Sequence, residues 1–158
     1  MSFLVENQPG VLFNVSNLFR RRGFNIESIT VGAVEDTKYA RMTITVDSDT
    51  KTMNNLVDQL DKMVEVIKVK RLDPLRTIRR ELLMVKLSTI DPMAREDALN
   101  YINNQHGLVL DIENESVMAE VTGEPDEIDT FLEHVKSIGI IEMSRTGITA
   151  LEKGRLKL

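Results

Sequence analysis

The chain has 158 residues, of which 42% are hydrophobic and 28% charged, and it contains no cysteine. This length suits one ordinary domain or two small ones. The lack of cysteine excludes disulfides and thiolate chemistry, and the net charge of −5 argues against general affinity for nucleic acid. No apolar run approaches the roughly 20 residues of a membrane span. Because the first five residues also lack a basic leader, we expect a cytoplasmic protein with no signal peptide.

The first 72 residues alternate between strand and helix patterns. Apolar residues spaced three and four apart predict helices, and apolar residues that alternate with polar ones predict strands. In chain order, the predicted elements are strand 2–6, helix 11–22, strands 25–34 and 39–47, helix 50–63 and strand 64–72. This βαββαβ order is that of the ferredoxin-like fold, an antiparallel sheet with two helices on one face.

The same order recurs in the second half of the chain. Its predicted elements are strand 81–90, a helix from Pro92 to Gly107, strands 108–113 and 116–122, a helix from Pro125 and strand 139–144. Net charge changes from +1 in residues 1–72 to −8 in residues 81–158. We therefore predict an α+β chain of two tandem ferredoxin-like domains, 1–72 and 81–158, joined by a linker at 73–80.

No enzyme active site can be assembled from the sequence. Nucleophile elbows, Walker loops and dinucleotide-binding glycine motifs are all missing. His106 and His134 are the only histidines, and neither has a partner at metal-ligand spacing. We therefore expect no catalytic residue and no bound metal or cofactor in this chain.

A binding function is better supported, and it centres on the stretch Asn7-Gln8-Pro9-Gly10-Val11-Leu12. Here a strand passes directly into a helix, whose first N–H groups have no partner within the helix. Gly10 allows a ligand to approach the backbone closely. The N–H groups of Gly10, Val11 and Leu12, together with the positive end of the helix dipole, suit a carboxylate.

Two asparagines extend this hypothesis to a zwitterion. Asn7 and Asn25 lie at the ends of neighbouring elements, and an amide can both donate and accept hydrogen bonds. Ile26, with Val11 and Leu12, would surround an aliphatic side chain. The alternative is that residues 7–10 form a plain turn and that Asn25 merely begins a strand.

Three segments of the sequence resemble a known family. They are VENQPGVLFNVSNLFRRRGFNIESITV, ARMTITV and LDKMVEVIKV. They resemble the regulatory, or small, subunit of acetohydroxyacid synthase (AHAS), also called acetolactate synthase, which opens with an amino-acid-binding ACT domain. The runs at 80–86 and 144–147 are similar to the same family, so that the resemblance covers nearly the whole chain. Only five residues precede Glu6, fewer than is common in the family, so we expect a short first strand.

The resemblance implies a regulatory role. Such subunits activate a catalytic large subunit, which forms 2-acetolactate with thiamine diphosphate, Mg²⁺ and usually FAD. They also make that subunit sensitive to feedback inhibition by a branched-chain amino acid, usually valine rather than leucine or isoleucine. The effector is held between the ACT domains of a homodimer. Carried over to this chain, the effector-binding residues are Asn7, Gly10, Val11 and Leu12 of one copy and Asn25 and Ile26 of its mate. The alternative is a freestanding ACT-type sensor that regulates another enzyme or a transcription factor.

Overall fold

The computed structural model of the protein describes residues 1–155 and 157–158. It divides into two compact units, one formed by Met1–Ile78 with Gly147–Leu158 and the other by Arg79–Thr146. The domain bounds 1–72 and 81–158 remain a prediction, and residue 156 of the second predicted domain lies outside the described residues. In this division, the segment Gly147–Leu158 belongs to the first unit.

The first unit contains a four-stranded antiparallel sheet with two helices. Its elements are β1 (Ser2–Glu6), α1 (Val11–Arg21), β2 (Ser28–Ala33), β3 (Tyr39–Thr45), α2 (Thr50–Leu60) and β4 (Val66–Lys70). The strand order is β2-β3-β1-β4. The first strand spans the predicted residues 2–6, and all five of them pair with β3.

Apolar periodicity explains why both helices lie on one face of this sheet. Phe3 and Val5 of β1 are fully buried in one core with Val15 and Phe19 of α1 and with Leu56 of α2. Strand residues two apart and helix residues four apart share a face, so each element contributes one apolar face. The strand side chains between these residues point to the other face of the sheet.

The second unit repeats this arrangement. Its elements are β5 (Thr77–Ser88), α3 (Pro92–Asn104), β6 (Leu108–Ile112), β7 (Ser116–Gly123), α4 (Pro125–Val135) and β8 (Ile140–Arg145). The first two residues of β5 belong to the first unit. The sheet runs β6-β7-β5-β8, all neighbours being antiparallel. The predicted pair of βαββαβ folds is therefore confirmed.

Two elements differ from the sequence prediction. A 3₁₀ turn at Pro74–Arg76 leads into β5 at Thr77, so part of the predicted linker is strand. A further strand, β9 (Thr149–Glu152), pairs with β5 and was not predicted. Four residues are too few for a clear alternation, and this strand depends on a partner distant in sequence.

Candidate functional site

The start of α1 depends on the backbone conformation of Gly10. This residue is the N-cap of α1, and its φ of 91° lies in the left-handed region that side chains rarely adopt. A Cβ built at Gly10 would meet no atom within 4 Å. The glycine is therefore required by backbone conformation, and the space in front of it is open to a ligand.

The N–H groups of the first turn of α1 lack a side-chain cap. Within the described residues, no side chain accepts a hydrogen bond at this helix start, and its first turn contains no acidic residue. The Val11 N–H makes only a long contact of 3.4 Å with the Gln8 carbonyl oxygen. Free N–H groups and the positive end of the helix dipole therefore remain available to an anion.

The other three α-helices provide a comparison inside the same chain. Each begins with a carboxylate that satisfies a backbone N–H. Asp49 accepts from Thr52 N–H at the start of α2, and Asp91 accepts from Met93 N–H at the start of α3. At the start of α4, Glu127 accepts from the Glu124 N–H. Among the four, α1 is the helix whose terminus carries no negative charge of its own.

Asn7 is held in place by the turn between β2 and β3. Its backbone N–H donates to the Lys38 carbonyl oxygen at 2.7 Å, and its Nδ2 donates to the Thr37 carbonyl oxygen at 2.9 Å. One N–H of Nδ2 is engaged in this way, so Oδ1 and the second N–H are left for a ligand. Asn7 can therefore accept a hydrogen bond from an ammonium group through Oδ1.

The first-turn side chains divide between the core and solvent. Val11 is buried, so its backbone N–H rather than its side chain can face a ligand. Leu12 is 46% exposed and Phe13 is 70% exposed. Phe13 lies outside the apolar stripe of the helix, which is why its side chain faces solvent.

Asn25 and Ile26 do not lie beside Gly10 in one chain. Glu6, at the end of β1, pairs with Tyr39, whereas Ser28, at the start of β2, pairs with Thr45. These partners are at opposite ends of β3, about 20 Å apart at 3.3 Å per residue. Within one chain, the two predicted halves of the site therefore lie at opposite ends of the sheet.

The remaining candidates for chemistry have structural roles. His134 stacks on Tyr101 with ring centroids 3.6 Å apart, and His106 adopts a left-handed conformation just after α3. No group of three or more metal-ligating side chains occurs in residues 1–155 and 157–158. In the same part of the chain, no helix is long and apolar enough to cross a membrane.

Comparison with known proteins identifies both halves of the chain. Residues 1–68 match the family described as AHAS small subunit-like ACT domain, and residues 80–154 match the small subunit of acetolactate synthase. The chain belongs to the acetolactate synthase small-subunit family. The family resemblance found in the sequence is confirmed, and the first unit carries the ACT domain of that family.

Relatives of this family match over at least nine tenths of their own length. A probable acetolactate synthase small subunit from Methanothermobacter thermautotrophicus is 44% identical over 98% of this chain and 92% of its own. The acetolactate synthase small subunit of Mycolicibacterium smegmatis is 36% identical over 98% and 90%. The crystal structure of the Thermotoga maritima small subunit superposes with a TM-score of 0.91 at 36% identity, over 98% of this chain and 96% of that one.

Proposed function

We propose that this chain is a non-catalytic regulatory subunit that activates an acetolactate synthase catalytic subunit and confers feedback inhibition by valine. The cofactors of the reaction, thiamine diphosphate, Mg²⁺ and FAD, belong to that partner. Membership of the small-subunit family supports the role. The observation that carries the effector site is the uncapped start of α1, because every other α-helix in the described residues begins with its own carboxylate.

The effector binds as a zwitterion between two copies of the ACT domain. Its carboxylate accepts hydrogen bonds from the N–H groups of Gly10, Val11 and Leu12 of one copy. The Oδ1 of Asn7, whose Nδ2 is engaged by Thr37, accepts from the ammonium group. Both charged groups of the ligand then have a hydrogen-bond partner on this copy, and the ammonium group keeps N–H donors for the side-chain amide of Asn25 from the mate.

The mate supplies Asn25 and Ile26. The separation of about 20 Å along β3 requires a second chain if both halves of the site are to contact one ligand. Leu12 and Ile26 enclose the aliphatic side chain. Selection of valine over leucine depends on one methylene, which is worth about 1–3 kcal/mol in a fitted pocket.

Effector binding regulates by favouring one arrangement of the dimer. A ligand shifts such an equilibrium only by its difference in affinity for the two arrangements. The catalytic subunit must therefore change valine affinity by the same factor by which valine changes its association with the dimer. This reciprocity gives the mechanism a quantitative check.

The test is calorimetric titration of the chain with valine, leucine and isoleucine, using Gly10→Asp and Gly10→Asn variants. Both substitutions place a side chain of the same shape at the same positive φ, and they differ in charge. We expect valine binding to be abolished in the aspartate variant and retained, although weakened, in the asparagine variant. Equal loss in both would contradict the anion site at α1.

The regulatory role is tested with the catalytic subunit from the same organism. Addition of the chain should raise acetolactate formation, and valine should then lower it. A Gly10→Asp complex should remain activated but be insensitive to valine. Failure of the chain to associate with that enzyme would contradict the role and favour a sensor with another partner.

A further inference from the structure

The face of the first sheet opposite its helices carries hydroxyl side chains that are buried. Thr43 of β3 alternates with Met42 and Ile44 of the helical core, and its register partners are Ser2 and Thr30. These three hydroxyl side chains therefore project away from the helices. Ser2 is nevertheless fully buried, and Thr43 is only 5% exposed. Another part of the chain therefore covers this face.

The segment Gly147–Glu152, which we call the C-terminal strap, lies on this face. Arg41 of β3, whose strand neighbours on both sides are buried in the helical core, donates from Nη2 to the Ala150 carbonyl oxygen at 2.9 Å. Lys70 of β4 forms an ion pair with Glu152. All of these residues belong to the first unit. Polar contacts thus attach the strap to the two strands β3 and β4.

At its other end, the strap approaches the backbone of β2. A Cβ added at Gly147 would lie 2.8 Å from the Ile29 carbonyl oxygen and 2.7 Å from Thr30 Oγ1, distances at which a side chain would clash. The φ of Gly147 is not in the left-handed region. Close approach, rather than backbone conformation, therefore requires this glycine. Next to it, the Ile148 N–H lies 3.5 Å from Ser28 Oγ.

The part of β2 that the strap contacts follows directly on the mate's half of the proposed effector site. Asn25 and Ile26 lie in an irregular segment, and β2 begins at Ser28. Consecutive Cα atoms are about 3.8 Å apart, so Ile26 can be no more than about 8 Å from Ser28. A shift of the start of β2 must therefore move Asn25 and Ile26 as well.

The contact between the strap and β2 is close without being strongly stabilising. Thr30 Oγ1 is buried there and has no hydrogen-bond partner among the described residues. A buried hydroxyl group without a partner carries a desolvation cost. The position of the strap on β2 can therefore respond to a change at β2.

We propose that the C-terminal strap positions the Asn25–Ile26 half of the effector site and thereby sets the affinity of the dimer for valine. This inference rests on the proposed function. No strap residue belongs to the proposed effector site, so Gly147 is a positioning residue that acts through β2. Since the two events are linked, valine must favour the seated strap by the same factor by which the seated strap strengthens valine binding.

The first test is calorimetric titration of the full chain with valine, using Gly147→Ala and Gly32→Ala. Gly32 lies further along β2, where an added Cβ would meet no atom within 4 Å, so the same substitution is made without a clash. We expect valine to bind Gly147→Ala at least fivefold more weakly than wild type, and Gly32→Ala with wild-type affinity. With the catalytic subunit, Gly147→Ala should activate fully but need more valine for inhibition, whereas a general folding defect would lower activation too.

The outcomes separate this inference from the proposed function. Wild-type affinity in Gly147→Ala would overturn the role of the strap and leave the effector site intact. Equal weakening in Gly32→Ala would also overturn it, because the clash at Gly147 would not be the cause. A wild-type chain that binds no valine would contradict the proposed effector, and this inference with it.

Hydrogen exchange of the wild-type chain tests the linkage without any variant. Saturating valine should slow exchange of the strap amides, residues 147–152, at least threefold more than exchange of the amides of α2. Helix α2 contains no residue of the proposed effector site and therefore reports general stabilisation by the ligand. An equal effect on both segments, or no effect on the strap while valine binds, would refute the coupling.

Discussion

Mixed dimers test whether the effector site is shared between two chains. Gly10→Asp places a negative charge where the carboxylate of valine would lie, and two such charges about 4 Å apart repel by about 4 kcal/mol at an effective dielectric constant of 20. That corresponds to roughly a thousandfold loss of affinity. Asn25→Ala removes one hydrogen bond to a charged group, worth about 1.5–3 kcal/mol. Each homodimer should therefore bind valine weakly or not at all.

A dimer made of one chain of each variant behaves differently. If the proposed dimer is two-fold symmetric, each site takes Gly10 from one chain and Asn25 from the other. A mixed dimer then has one site with both defects and one with neither. Since equal mixing makes half of the dimers mixed, about one quarter of all sites should bind valine with wild-type affinity.

The assay is valine titration after the two variants are co-refolded at equal concentration, with each variant refolded alone as the control. The separation of about 20 Å along β3 is the structural basis of the expected recovery. If refolding restores the dimer but no high-affinity sites, the two halves do not meet across the dimer. Normal valine binding by the Asn25→Ala homodimer would also refute the reasoning, because Asn25 would then have no part in the site.

Three further predictions concern stability. The Arg145 guanidinium donates a hydrogen bond to Glu81, whose side chain is only 7% exposed. Arg145→Met therefore leaves a buried carboxylate without its partner. Because Arg145 is itself partly exposed, we expect the free energy of unfolding to fall by about 3 kcal/mol, the lower end of the 3–5 kcal/mol range for a broken buried pair. Urea denaturation measures it, with the exposed Lys136→Met as a control expected to change stability by less than about 1 kcal/mol. In Gly147→Ala, the new Cβ would lie 2.8 Å from a backbone oxygen of β2, so the melting temperature should fall and amides of residues 147–153 should exchange faster. Unchanged exchange would contradict this. Hydrogen bonds from the first turn of α2 lower the pKa of Asp49 below its usual 3.8. The Asp49 carboxylate therefore stabilises the fold fully at pH values above 3.8, and this stabilisation is lost as pH falls through the pKa of the folded state. Asp49→Asn should therefore flatten the acid side of the stability profile, as followed by circular dichroism, and an unaltered profile would exclude the cap as a cause.

Local patterns in the sequence determined the fold class and the nature of the predicted effector site. Helix periodicity, strand alternation and the position of Gly10 each depend on residues close together in the chain. The predicted helices and strands of both units are found close to their predicted bounds, although β2 begins at Ser28 rather than at residue 25. The contrast between a bare α1 and carboxylate-capped α2, α3 and α4 was likewise present in the sequence, since capping acts over three or four residues.

Only the tertiary structure decided what lies on the second face of the first sheet. Arg41 was recognisable as part of a strand, but its partner Ala150 is 109 residues away. The short strand β9 carries no clear pattern of its own, and nothing local indicates that it groups with the first unit. A contact between distant residues forms only when packing and charge in the folded chain favour it over many other possible partners. Helices, strands and caps depend instead on residues that are neighbours in the sequence.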